Sequence, residues 1–173
     1  MCYIRINILF SAVAVPFILL LALEEGRKGG IARGVLYFLF YILLMVIAET
    51  DYYTYRIPDK LNLIMGILGL VFILVSEDIC IPWRLYSSLI VPSLLLLLAI
   101  LRPGAIGGGD IKLLASAGIF IGFEKIMFAA AIGSILAGMT TIGLMAKGKA
   151  NKKSKMAMAP YYMAGIILCM ILN

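Results

Sequence analysis

The chain has 173 residues, 64% of them hydrophobic, with a mean hydropathy of +1.09 and a formal net charge of +6. Soluble domains are typically about half apolar, so this composition excludes an ordinary soluble fold and indicates a polytopic membrane protein. The sequence contains no histidine, which excludes Ser-His-Asp and Cys-His catalysis and the usual His-based zinc sites.

A helix needs about 20 apolar residues to cross a bilayer. Apolar runs at residues 6–23, 34–50, 60–76, 84–101, 111–123, 125–146 and 156–172 predict an all-α transmembrane bundle of six to seven helices. The whole of 1–173 reads as one membrane domain. The first run lacks a small-x-small cleavage site before Glu24-Glu25 and reads as a retained helix rather than a signal peptide. A charged, Gly-rich break from Glu24 to Arg33 follows it. The second run ends near Glu49, which reads as an interfacial charge. The break from Asp51 to Lys60 is polar and aromatic and contains Pro58, with Asp59 placed to open the third helix. Ser76 to Pro82 is a short acidic break. Arg102 to Asp110 contains Pro103 and four glycines.

The run after Asp110 is short. Thirteen residues from Ile111 to Phe123 make a helix of about 20 Å against a hydrocarbon core of about 30 Å. This helix either starts below the membrane surface or does not fully cross. Non-helical backbone at that depth survives only beside protein or a wet cavity, so the Gly107-Gly108-Gly109-Asp110 stretch is predicted to be a sunken loop. Small residues at Gly118 and Gly122, and at Ala130, Ser134 and Gly138, are spaced for helix packing within the chain. The break from Lys147 to Lys155 carries five lysines and reads as a topology determinant beside lipid headgroups.

Basic residues give the orientation. With a cytoplasmic N-terminus and seven spans, ten of the 15 Lys and Arg residues fall on the cytoplasmic side and five outside, as the positive-inside rule favours. The Asp51 and Asp110 breaks then share the cytoplasmic side. This use of positive charge implies a lipid bilayer as partner and no nucleic acid. Cys2, Cys80 and Cys169 are scattered, without CxxC spacing, and read as incidental small residues.

Ionisable groups at membrane depth are costly and mark functional sites. Two carboxylates sharing a site cannot both ionise cheaply, so one keeps its proton. Such a pair can hydrolyse a peptide: the protonated acid polarises the carbonyl and the ionised one takes a proton from water. No metal, cofactor or covalent intermediate is required. A pair of ordinary interfacial aspartates is the alternative that spacing alone leaves open.

The residues also carry a resemblance. Asp51 lies a few residues before Ile57-Pro58, and Gly107-Gly108-Gly109-Asp110-Ile111-Lys112 follows later in the chain. Together these resemble the type IV prepilin peptidases, the Gly-x-Gly-Asp membrane aspartic proteases. Met158 to Gly165 loosely resembles the Pro-containing stretch that opens the family's last helix. The resemblance implies Asp51 and Asp110 as catalytic, with the glycines and Pro58 shaping the site. Lys112 would either hold Asp110 ionised or contact headgroups. It implies prepilin-like or preflagellin-like substrates with a basic leader and an apolar helix, cut at the cytoplasmic membrane face. Long members carry an additional cytoplasmic region, often with paired cysteines. The break after the first helix here is ten residues without CxxC, so the chain resembles the short, peptidase-only form. Oligomeric state is not readable. Presenilin-like intramembrane proteases are a second reading, though Thr50 precedes Asp51 where those enzymes have Tyr. A small ion or proton transporter, or a scaffold, is the non-enzymatic reading.

Overall fold

The computed structural model describes residues 19–27, 30–76, 81–102, 106–148 and 156–172. Among these there are helices and no strand. The order is α1 (19–27), α2 (Ile31–Thr54), α3 (Asp59–Val75), α4 (Ile81–Leu101), α5 (Gly108–Ile121), α6 (Phe123–Ala146) and α7 (Ala159–Ile171). The helical bundle expected from the apolar periodicity is the fold observed. Within α2, α4 and α6 lie stretches long and apolar enough to cross a membrane: Ile31–Thr54, Arg84–Leu101 and Phe123–Ala146. The other described helices are shorter, and α5 has only 14 residues. Leu89, Leu94, Leu97 and Ile100 of α4 are exposed. An apolar face of that kind suits lipid and not water.

α5 lies against α3, α4 and α6, and its buried residues include Leu113, Leu114, Ala117, Phe120 and Ile121. An aromatic cluster fixes its far end. The Phe40 and Phe120 rings stack with centroids 4.2 Å apart, and Phe72 and Tyr37 close on Phe120 at 4.3 and 5.1 Å. Such ring pairs add stabilisation of about 0.5–1.5 kcal/mol beyond area burial. Gly69 of α3 lets the backbones approach: a Cβ there would come within 2.9 Å of Ile119 Cγ2.

A single residue, Gly122, joins α5 to α6, at φ 87°. That left-handed conformation suits glycine, which carries no Cβ. Gly122 therefore serves as a junction rather than as the second half of a helix-packing pair. Close packing on α6 comes from a different glycine. A Cβ on Gly133 would lie 2.7 Å from the Tyr162 ring and 3.0 Å from the Tyr161 carbonyl oxygen. Gly165 of α7 faces Ala129 with no room for a side chain. Gly138, by contrast, has open space around it. Of the stripe read from sequence, Ala130 is buried and Ser134 hydrogen-bonds to Tyr162 of α7, while the closest approach of α6 and α7 is at Ala129, Gly133 and Gly165.

Two boundaries differ from expectation. α2 continues to Thr54, so Asp51 lies in its last turn and not in the following break. α5 begins at Gly108, so Asp110 lies in its first turn and not in a loop. Apolar periodicity fades near helix ends because terminal turns carry polar residues, and boundaries are then set by capping. Most of the first predicted run, the lysine-rich break beyond Gly148, Cys2 and Cys80 lie outside the described residues. Cys169 is a buried free thiol.

Candidate active site

Among the described residues two aspartates are buried, Asp51 at 5% and Asp110 at 8% relative exposure. Each arrives there through a helix end. α2 stops because Arg56-Ile57-Pro58 cannot continue it: proline disfavours helical geometry in the residue before it. Tyr55 takes the left-handed conformation at φ 52° and donates its N–H to the Asp51 carbonyl, 2.8 Å away. Thr54 Oγ1 donates to the Thr50 and Arg56 carbonyls at 2.7 and 2.9 Å. Pro58 then occupies the N-cap position of α3, its carbonyl accepting from the Leu61 and Asn62 amides. Pro58 thus shapes the connection.

A carboxylate in the last turn of its own helix faces the negative end of that helix dipole. Asp51 is compensated by another helix. Its Oδ2 accepts the Ala159 N–H at 3.0 Å, at the first residue of α7, and the Met158 amide also donates to it. Pro160 follows at the second position of α7, where an N–H is not needed by the helix. The Pro-containing stretch therefore delivers amides to Asp51, which the sequence alone did not reveal beyond a loose resemblance.

Asp110 is the third residue of α5, after Gly107 at the N-cap. Its carboxylate folds back towards the helix start, where the Gly107 amide donates to it. This is half of a capping box. Its other oxygen, Oδ1, is buried and has no hydrogen-bond partner among the described residues.

The three glycines are not equivalent. A Cβ on Gly107 would stand 2.8 Å from Asp110 Oδ2, so a side chain there would displace the carboxylate itself. A Cβ on Gly109 would press on Ile57 Cβ at 3.1 Å. Gly109 thereby lets the Ile57-Pro58 segment sit against the start of α5. Around Gly108 nothing lies within 4 Å of a would-be Cβ. The spacing Gly-x-Gly-Asp follows: the first glycine makes room for the aspartate, the second for Ile57, and the position between is open.

The structure brings Asp51 and Asp110 close enough that the charge of Asp51 acts on Asp110. Tyr162, buried in α7, lies within the field of Asp110 and makes a side-chain hydrogen bond with Ser134. Neither Tyr162 nor Asn62 stood out in sequence. Asn62 is buried in α3, with Nδ2 3.5 Å from the Gly109 carbonyl and Oδ1 unpartnered among the described residues. Lys112 takes a role that sequence reading did not weigh. Its Nζ is 2.7 Å from Asp59 Oδ1, in an exposed ion pair that ties α5 to α3. Asp59 opens α3, where the helix dipole favours an acid.

Such a pair of carboxyls offers acid–base chemistry at one place. Two carboxyls within each other's field favour holding one proton between them, and a strongly coupled pair titrates as a unit. Residues 38–142, more than half of the chain, match the type IV leader peptidase family. That span contains both aspartates and all three glycines. The chain is also similar to a prepilin leader peptidase/N-methyltransferase of Bacillus subtilis (strain 168), with 28% identity over 172 residues, covering 96% of this chain and 67% of that protein. No solved structure matches it.

Proposed function

Since the chain belongs to the type IV leader peptidase family, we propose that it is a membrane-embedded aspartic endopeptidase. It removes leader peptides from prepilin-like or preflagellin-like proteins at the cytoplasmic face of the membrane. Asp51 and Asp110 form the catalytic pair. One carboxyl donates its proton to the scissile carbonyl oxygen while the other takes a proton from the attacking water. The tetrahedral intermediate then collapses, the C–N bond breaks, and a proton passes to the leaving amine. A positioned acid or base typically contributes about 10²–10⁴-fold to rate.

The observation that carries this reading is that two buried carboxyls lie within each other's field in an apolar chain, one of them with an oxygen that has no partner among the described residues. Burial of a polar atom without a partner is costly, and a substrate carbonyl or water is the natural partner for it. The cytoplasmic placement rests on the basic residues Arg56, Lys60, Arg102 and Lys112, in the sequence near the two aspartates. The short break after the first helix favours a peptidase without the methyl-transferring region.

The test is to incubate the purified protein in lipid with a small protein carrying a basic leader, a glycine before the cut and an apolar helix after it. Mass spectrometry of the products locates the cut. The expected product begins at the residue after that glycine. A cut within the apolar helix would instead indicate an intramembrane protease of the presenilin kind. An intact substrate, together with ion flux that depends on Asp110, would indicate a transporter.

A further inference from the structure

The two carboxyls of the pair have unequal surroundings. Asp51 Oδ2 accepts the Ala159 amide at 3.0 Å, and the Met158 amide also donates to Asp51. Asp110 receives one backbone amide, from Gly107, and its Oδ1 is buried with no partner among the described residues. An ionised carboxylate spreads its charge over both oxygens and needs donors for both. Asp51 receives two backbone amides; Asp110 receives one, and its buried Oδ1 has no partner among the described residues.

The helix dipoles act in mixed directions. α7 favours a negative charge at Asp51 through its first turn, while α2 disfavours it through its last. α5 favours a negative charge at Asp110. A dipole end is a partial charge spread over a turn, whereas a hydrogen bond to an ionised oxygen is a direct contact. The contacts therefore decide. Among the described residues, the titratable groups facing the pair are Asp110 and Asp51 themselves and Tyr162 from α7. Lys112 and Asp59 pair with each other in an exposed position.

We infer that the two aspartates have fixed and different parts: Asp51 enters the reaction as the ionised base, and Asp110 enters it as the acid that carries the proton on Oδ1. This rests on the peptidase reading given above and assigns roles within the same site. Water loses a proton to Asp51 while its oxygen bonds to the carbonyl carbon. The Asp110 proton moves to the carbonyl oxygen, giving a gem-diol. One gem-diol hydroxyl then returns a proton to Asp110 as the C–N bond breaks, and the proton on Asp51 passes to the leaving nitrogen. Both aspartates end as they began, and water has been added across the peptide.

Infrared difference spectroscopy of the full chain in lipid at neutral pH, without substrate, tests the assignment. The carboxyl band of a protonated acid is identified by its shift on ¹³C-aspartate labelling. Wild type is expected to show one such band. Asp110→Asn is expected to lose it and Asp51→Asn to keep it. Loss in Asp51→Asn with retention in Asp110→Asn would overturn the assignment, as would loss in both variants or retention in both. The wild-type spectrum tests it even if a variant fails to fold, because no labelled band at all contradicts a protonated Asp110. No cleavage is involved, so failure of the peptidase reading is seen separately, as wild type leaving its substrate uncut.

Discussion

The two ends of α5 meet the same problem with opposite charges. A 14-residue helix packed among other helices leaves amides free at its start and carbonyls free at its end. At the end, Arg84 of α4 reaches in. Its Nη1 donates to the Phe120 carbonyl and, at 3.4 Å, to the Ile119 carbonyl, while the guanidinium sits 5.0 Å over the Phe72 ring. At the start, Asp110 folds back to the Gly107 amide and keeps Oδ1 without a partner among the described residues. The guanidinium is committed to fixed carbonyls, whereas the carboxyl has an oxygen in reserve. In the proposed function the same device, a charge at a helix terminus, is structural at one end and chemical at the other.

Breaking the chemical end is expected to have the largest effect. Asp110→Asn lowers cleavage by at least about a thousandfold, within the range for losing an acid–base group, while the helical circular dichroism and membrane insertion stay as in wild type. Breaking the structural end reverses that pattern. Arg84→Ala leaves two carbonyls of α5 without their charged donor and costs about 2–3 kcal/mol of stability, read as lower resistance to denaturant in detergent. The pair of substitutions separates the ends: equal stability loss in both would mean that Asp110 is also merely a cap.

The glycines sharpen the comparison. Gly107→Ala displaces Asp110 Oδ2, a mobile side-chain end, so it lowers kcat by about ten- to a hundredfold with little change in stability. Gly108→Ala stays within about twofold of wild type, since nothing occupies that space. Equal kcat values for the two variants would contradict the account of the Gly-x-Gly spacing. The smallest effect is expected at the exposed ion pair. Lys112→Gln changes stability by no more than about 1 kcal/mol and leaves cleavage near wild type; a loss approaching that of Asp110→Asn would place Lys112 in the chemistry.

Much of this site was legible in the sequence, for identifiable reasons. Asp51 and Asp110 stand out because charges are scarce in an apolar chain, and the glycines mark a crowded backbone. The short run after Asp110 foretold a short helix, and α5 has 14 residues. What stayed hidden depends on contacts between distant segments. Nothing at Ala159 signals that its amide meets Asp51. Arg84 stands in the sequence only as the first residue of an apolar run, yet it reaches the end of α5. Gly133 and Gly165 resemble other small residues in α6 and α7 until the helices are laid together. The placement of Asp51 and Asp110 within helical turns was missed because both sit where periodicity gives way to capping.

The central claim is that Asp51 and Asp110 act as one catalytic pair. It is tested most directly by co-expressing a leader-bearing, prepilin-like substrate with wild type, Asp51→Asn or Asp110→Asn and measuring the processed fraction at equal membrane levels of each protein. The account predicts processing by wild type and none by either variant; processing by either variant at the wild-type rate would contradict it.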